Sequence, residues 1–188
     1  MLKAPKFWYS KKKYAAFVAI TLAPMSLIWE FFSRRKISRG RNEKFNVPII
    51  CVGNINIGGS GKTPATVALA KAFLDQNIAV HIVSKGYKGK LKGPKKVSAN
   101  DQSCDVGDEP ILMSSFAPVW IAKNRRSAVI EAIEDGAELL IFDDGFQDTS
   151  IKKTVSIITV DSNLAFGNGR VLPSGPLRET VSHGLNRA

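Results

Sequence analysis

Residues 47–64 carry the feature that most constrains the fold, because an apolar run, a glycine-rich turn and a helix-forming segment follow one another there. The turn ends in Gly61-Lys62-Thr63. In this context the glycines let the backbone wrap round an anion, and N–H groups at the helix start point towards it. Lys62 would reach terminal phosphates, and the Thr63 hydroxyl would hold magnesium. The predicted phosphate-binding residues are Asn56, Ile57, Gly58, Gly59, Ser60, Gly61, Lys62 and Thr63.

One position departs from the usual eight-residue pattern, which begins with glycine. This chain has Asn56 there. The alternative interpretation is a glycine-rich turn that contains Gly-Lys-Thr by coincidence. The flanking strand and helix favour the phosphate loop, since the motif is meaningful only in that context.

Strand and helix signals alternate from Val47 onward, which is typical of an α/β domain with a mostly parallel sheet flanked by helices. A length of 188 residues is enough for one substantial core. The predicted strands are 47–52, 78–83, 118–122, the apolar part of 138–145, and 154–160, the last of a buried type. The predicted helices are 62–75 and 124–134. The fold class is therefore a P-loop nucleotide-binding α/β domain.

Acidic residues follow two of these elements. An apolar strand ends in Asp143-Asp144, and parallel strands present their carboxyl ends at one edge of a sheet, where ligands bind. Either carboxylate would then lie opposite Thr63 across a magnesium ion, unless the strand simply ends in a polar turn. Asp108 and Glu109 open a predicted helix, and spacing alone favours acids that complement the helix dipole.

The chain ends in a glycine- and proline-rich segment that contains Arg178 beside Glu179. This is either a surface pair or a phosphate clamp beside a metal-side carboxylate. Two cysteines give neither a disulfide framework nor metal-ligand spacing.

The net charge of +11 is concentrated in residues 1–44, which hold eleven Lys or Arg against two Glu and so carry +9. Within this arm, residues 14–32 form a nineteen-residue apolar stretch whose only charge is Glu30. Such a stretch flanked by basic residues indicates membrane association, either as a spanning helix or as a helix lying in the interface, with a buried core helix as the alternative. Nucleic acid is not the expected partner, and the sequence indicates no protein partner. We divide the chain into this arm and a domain at 45–188.

Five motifs in order resemble one family, the tetraacyldisaccharide 4'-kinases of lipid A biosynthesis, over nearly the whole chain. The motifs are Val52-Gly53-Asn54-Ile55 leading into Gly58 to Pro64, Ser84-Lys85-Gly86-Tyr87, Val106 to Pro110, Asp143 to Gln147, and Gly167-Asn168-Gly169 leading to Glu179. The family also lacks the first glycine of the loop, which accounts for Asn56.

The resemblance implies phosphoryl transfer from ATP, with Mg²⁺, to the 4'-hydroxyl of an acylated glucosamine disaccharide 1-phosphate. It implies Asp108 as the base, with Lys62 and Arg178 as further catalytic residues. The implied magnesium-side residues are Thr63, Glu109, Asp143, Asp144 and Glu179. It also implies a place at the inner membrane, with the active site on the cytoplasmic side. The competing interpretation is a membrane-tethered nucleotide-binding module or ATPase without lipid kinase activity.

Three departures from the family pattern stand out. Asp148 replaces a usual His, and Lys85 replaces a usual Arg, which keeps the charge but loses the guanidinium fork. Family members also continue into a second domain that supplies a His to partner the base, so a chain ending at Ala188 is expected to lack it. His183 and His81 are expected to be ordinary residues.

Overall fold

A six-stranded sheet with the order β3-β4-β2-β5-β1-β6 organises most of the chain. The computed structural model describes residues 4–188. Its strands are β1 (Ile49–Gly53), β2 (Val80–Ser84), β3 (Lys95–Lys96), β4 (Val119–Ile121), β5 (Leu139–Asp143) and β6 (Val155–Ile158). Its α-helices are α1 (Lys13–Thr21), α2 (Ala23–Ser38), α3 (Lys62–Leu74), α4 (Ser103–Val106), α5 (Asp108–Ser114), α6 (Arg125–Glu134) and α7 (Val181–Leu185), after a short 3-10 helix at Lys6–Trp8.

The chain divides into two units, which we name by their contents. The sheet unit comprises residues 41–53 and 62–157, and the arm unit comprises residues up to 40, 54–61 and 158–188. This grouping differs from the predicted division at residue 44, because the N-terminal arm belongs with two later segments.

The strands at the centre of the sheet unit are parallel, as the sequence predicted. β5 pairs in parallel with both β1 and β2, and β2 pairs in parallel with β4. These strands are short apolar runs, as expected for strands covered on both faces. Their fully buried side chains form one core with residues of the helices; it includes Val52, Ile82, Val119 and Ile141 from the strands, Ala70 from α3 and Met113 from α5. The predicted α/β fold is confirmed.

Two strands differ from expectation, and both are at the edges of the sheet. β6 was predicted to be of a buried type, but Val155 is 50% exposed because β6 has a strand neighbour on one side only. β3 was not predicted, since Lys95 and Lys96 carry no strand signal; the pair runs antiparallel to β4.

In the arm unit, the predicted single apolar helix over residues 14–32 is wrong. The segment forms two helices, α1 and α2, whose axes are bent by 55°. Leu22 is the C-cap residue of α1 and the N-cap residue of α2. Pro24 lies in the first turn of α2, where its missing N–H is tolerated. Across residues 4–188, no individual helix has both the length and the apolar character to cross a membrane, whereas the bent pair taken together does.

The helix α2 is attached to the end of the chain by polar groups on one face. The Ser26 hydroxyl donates to the Val171 carbonyl at 2.8 Å, and the Trp29 indole donates to the Arg178 carbonyl at 3.1 Å. Sequence periodicity does not reveal this contact, since both donors lie within an apolar run. It explains why the arm and residues 158–188 form one unit.

Candidate functional site

The end of β5 and the start of α3 bring opposite charges together in the sheet unit. Val52 of β1 is in register with Asp143 of β5, so the carboxyl ends of these neighbouring strands meet at one edge. Lys62 is the first residue of α3, and its Nζ lies 3.9 Å from Asp144 Oδ1. Thr63 is the next residue of the helix. The start of α3 and the end of β5 therefore lie close together, and the predicted place of an aspartate opposite Thr63 across a magnesium ion stays a prediction.

Asp143, the last residue of β5, is a buried acid. It is 2% exposed, and its Oδ2 accepts a hydrogen bond from the Ser84 hydroxyl at 3.4 Å. Within the described part of the chain, Oδ1 is buried without a hydrogen-bond partner. Burial, followed by the negative charges of Glu109 and Asp144, raises the pKa of Asp143 to about 6, although Lys62 and Arg125 act in the opposite direction. A buried carboxylate in these surroundings is suited to bind a cation.

We expect Asp143→Asn to stabilise the metal-free protein above pH 6. The folded-state pKa lies above the unfolded value of 3.8, so the wild type loses stability as pH rises from about 4 to 6. At about 1.4 kcal/mol per pKa unit, the penalty reaches at most about 3 kcal/mol. Urea unfolding in EDTA from pH 4 to 8 should show the variant gaining on the wild type through this window and holding its advantage above it. Parallel curves would contradict the perturbed environment.

Asp108 and Glu109 occupy the first turn of α5, and both are exposed. Gly107 precedes them at φ 97°, a conformation that favours glycine. The charge of Glu109 contributes to the raised pKa of Asp143, which places these carboxylates in one electrostatic neighbourhood. The structure thus gathers Lys62, Glu109, Asp143 and Asp144, with Asp108 adjacent along the chain.

No three His, Cys, Asp or Glu side chains within residues 4–188 are arranged to hold a metal ion. Magnesium in nucleotide sites is usually held by one or two carboxylates together with phosphate oxygens and water. The partnerless Oδ1 and raised pKa of Asp143 fit this requirement. The metal-binding roles of Thr63, Glu109, Asp143, Asp144 and Glu179 stay predictions.

The phosphate loop belongs, up to Gly61, to the arm unit. The Asn54 side-chain amide donates to the Gly58 carbonyl at 3.2 Å and to the Ser60 hydroxyl at 2.9 Å, which holds the loop closed on itself. Gly58 and Gly61 have φ values of 117° and 76°. A side chain would be strained at these positions although nothing lies within 4 Å of an added Cβ. The glycines are therefore required at these two positions by backbone conformation and not by crowding.

Asn56 stands where the usual pattern has glycine, and its side chain makes a hydrogen bond within the arm unit. Its side-chain amide donates to the Ala165 carbonyl at 2.6 Å, and the backbone N–H of Ile57 donates to the Pro176 carbonyl at 2.8 Å. These bonds tie the start of the loop to the last segment of the arm unit.

Arg178 and Glu179 also lie in the arm unit. Glu179 is 1% exposed, and its Oε2 lies 2.9 Å from His183 Nδ1 and contacts the Arg187 guanidinium. His183 was expected to be ordinary, and the structure makes it a partner of this carboxylate. The spacing of four residues between Glu179 and His183 could have indicated this contact. The roles of Arg178 and Glu179 stay predictions.

Sequence reasoning also missed Arg125, the first residue of α6, which is 2% exposed. Its guanidinium donates to the carbonyl oxygens of Asp143 and Asp144 and to the carboxylate of Asp148. Asp148 was singled out only as a departure from a family pattern. No periodicity or motif marks an arginine for burial.

These features define a class. A parallel β-strand leads along the chain into a glycine-rich loop and a helix beginning at Lys62-Thr63, and acids end the neighbouring strand β5, which is the organisation of a P-loop nucleotide-binding protein. The family model described as Tetraacyldisaccharide-1-P 4'-kinase matches residues 18–188, and the chain belongs to this family.

Individual relatives agree with this assignment. A tetraacyldisaccharide 4'-kinase of Dinoroseobacter shibae is 41% identical over all of this chain and 56% of its own length. One of a Jannaschia species is 43% identical with the same coverage. A crystal structure of LpxK from Aquifex aeolicus, described as an "apo" form in complex with ATP, is 32% identical with a TM-score of 0.78. The match covers 91% of this chain and 57% of the Aquifex aeolicus chain. The chain thus spans about half the length of the relatives it matches.

Proposed function

We propose that this chain binds ATP and serves as a kinase that phosphorylates the 4'-hydroxyl of an acylated glucosamine disaccharide 1-phosphate. The observation that carries the proposal is the charge cluster at the end of β5, in a chain that its family model matches over residues 18–188. The ATP in the related Aquifex aeolicus structure supports the choice of nucleotide.

The residues of the sheet unit have distinct roles in this proposal. Lys62, at the start of α3, binds the terminal phosphates. Asp143 and Asp144, with Thr63 and Glu109, would hold Mg²⁺, which when bound offsets the phosphate charge. Asp108 is exposed and so accessible to an incoming hydroxyl, whose proton it would accept as the base. Arg178 and Glu179 of the arm unit keep their proposed roles as a phosphate-binding cation and a metal-side acid.

We also propose that α1 and α2 associate with the cytoplasmic face of the inner membrane. Their large apolar side chains are exposed to an extent unusual for a globular surface, with Phe17 at 73% and Leu27 at 68%. The other exposed large apolar residues of these two helices are Tyr14, Ile20, Met25, Ile28, Trp29, Phe31 and Phe32. Lysines precede this apolar stretch and arginines follow it, and these positive charges favour binding to anionic lipid headgroups. A substrate with several acyl chains stays in the bilayer, so the enzyme must reach it there.

One experiment tests the lipid kinase proposal. The protein is incubated with γ-labelled ATP, Mg²⁺ and anionic vesicles with or without the acylated disaccharide 1-phosphate. We expect the label in the lipid fraction only when the disaccharide is present, and the protein in the floated vesicle fraction. Label released solely as free phosphate would contradict the proposal and favour an ATPase. Protein that stays in the soluble fraction would contradict membrane association.

A further inference from the structure

Arg125 occupies a position that helix stability does not explain. It begins α6 immediately after the N-cap Asn124, whose side chain accepts a hydrogen bond from the Arg126 N–H at 3.1 Å. A cation in the first turn opposes the helix dipole, and burying a charge is costly unless it is paired. Among the described residues the Arg125 Nε is buried without a hydrogen-bond partner, so the pairing falls to Nη1 and Nη2. Arg125 is nevertheless 2% exposed. Its acceptors must therefore account for its burial.

Within residues 4–188, the hydrogen-bond acceptors of the Arg125 guanidinium lie in one short segment, the end of β5 and the turn that follows it. Nη2 donates to the carbonyl oxygens of Asp143 and Asp144, each at 2.8 Å. Nη1 donates to Asp148 Oδ2 at 3.0 Å. One planar group thus joins three points of a six-residue stretch, and a lysine ammonium lacks the fork geometry to do so.

The backbone at Asp144 needs such support. Asp144 has φ 47°, in the left-handed region that is unfavourable for a residue with a side chain. Two successive carbonyls that accept from the same Nη2 must face the same way, which fixes this turn. The turn determines where the carboxylates of Asp143 and Asp144 lie relative to Lys62.

Asp148 anchors the arginine and connects it to a second loop. Its Oδ2 lies 3.3 Å from Lys85 Nζ, in the segment that follows β2. Burial alone would raise the pKa of Asp148, but hydrogen bonds from Ser150 and the charges of Arg125 and Lys85 hold it well below its usual range. The anchor is therefore ionised wherever the protein is folded near neutral pH.

We propose that Arg125, anchored by Asp148, is a positioning residue that holds Asp143 and Asp144 in the geometry that binds Mg²⁺ with the nucleotide. The inference rests on the proposed function, since it assigns the aspartates to the metal. Arg125 acts through the backbone of the turn, since its Nη2 donates to the carbonyl oxygens of Asp143 and Asp144. Groups that orient metal ligands typically change metal affinity 10–100-fold when replaced.

The test compares Arg125→Lys with Arg126→Lys in the 188-residue chain. Arg126 is the next residue and pairs through Nε with both oxygens of Glu43 at 2.9 Å, on a side chain that is 53% exposed. The first readout is the Mg²⁺ concentration that half-saturates binding of a fluorescent ATP analogue. We expect about a tenfold increase for Arg125→Lys and no change for Arg126→Lys.

The second readout needs neither metal nor nucleotide. Amide hydrogen exchange across residues 142–148 should be faster in Arg125→Lys than in the wild type or Arg126→Lys, at temperatures where all three are folded. A variant that only loses stability would instead show faster exchange throughout the sheet unit and an unchanged Mg²⁺ requirement. That result, or wild-type values in both readouts, would overturn the proposal.

Asp148→Asn provides a second variant if Arg125→Lys does not fold. It removes the anchoring charge but keeps a hydrogen-bond acceptor, so we expect the Mg²⁺ requirement to rise by less than the increase of about tenfold expected for Arg125→Lys. No change in either readout would overturn the proposal. A wild type that shows no Mg²⁺-dependent binding would instead reject the proposed function, and the exchange comparison would still decide whether Arg125 holds the turn.

Discussion

Lys62→Met is expected to weaken ATP binding by about 100-fold. A hydrogen bond to a charged group contributes about 1.5–3 kcal/mol, and about 1.4 kcal/mol corresponds to a factor of ten in affinity. Lys62 stands among acids, since its Nζ lies 3.9 Å from Asp144 and its charge acts on Asp143, as does that of Glu109. Without the lysine, those acids would also repel the phosphates. Titration of a fluorescent ATP analogue in the presence of Mg²⁺ measures the change.

Lys71→Met is the matched control. Lys71 lies on the same helix, α3, and is exposed, with its Nζ over the Phe116 ring at 4.3 Å from the ring centre. It also changes the net charge by one, so any general effect of charge on nucleotide affinity appears in both variants. Equal weakening in Lys62→Met and Lys71→Met would show that Lys62 makes no specific phosphate contact.

The central sheet and the acids of its unit were predictable because their signals are local. An apolar strand, a glycine-rich turn and a helix occupy consecutive residues, and the order of strands and helices predicts parallel pairing. Parallel pairing then brings Asp143 and Asp144 to the edge where Lys62 begins its helix. Each step needs only neighbouring residues and one topological rule.

Other features depend on contacts between distant residues and had no local signal. Arg125 looks like a surface residue at the start of an amphipathic helix, and its acceptors lie about twenty residues further along the chain. The arm was predicted as one helix because hydropathy is insensitive to the break at Leu22. Its attachment through Ser26 to a carbonyl 145 residues away is likewise invisible in the sequence.

Asp108→Asn is expected to lower the rate of phosphoryl transfer by about 10²–10⁴-fold, the usual contribution of a positioned general base. Asparagine keeps the size and position of the side chain but cannot accept the hydroxyl proton. ATP affinity should stay near the wild-type value, because Lys62 and the β5 aspartates are unchanged. Single-turnover transfer to the lipid acceptor and separate nucleotide titration, in any active preparation that contains this chain, distinguish the two effects.

The same variant decides between the two interpretations of Asp108 that the sequence left open. An acid that only complements the dipole of α5 contributes about 0.3–1 kcal/mol to stability, so its loss would lower the unfolding temperature slightly and leave transfer intact. If Asp108 is instead the base, the substitution would slow phosphoryl transfer and leave the unfolding temperature nearly unchanged. Asp105→Asn removes a nearby carboxylate from α4 and should leave transfer unchanged. Glu109→Gln should raise the Mg²⁺ requirement, because Glu109 shares the electrostatic neighbourhood of Asp143. If Asp108→Asn resembled Asp105→Asn in transfer rate, Asp108 would be a dipole-complementing acid and the base would have to be sought elsewhere.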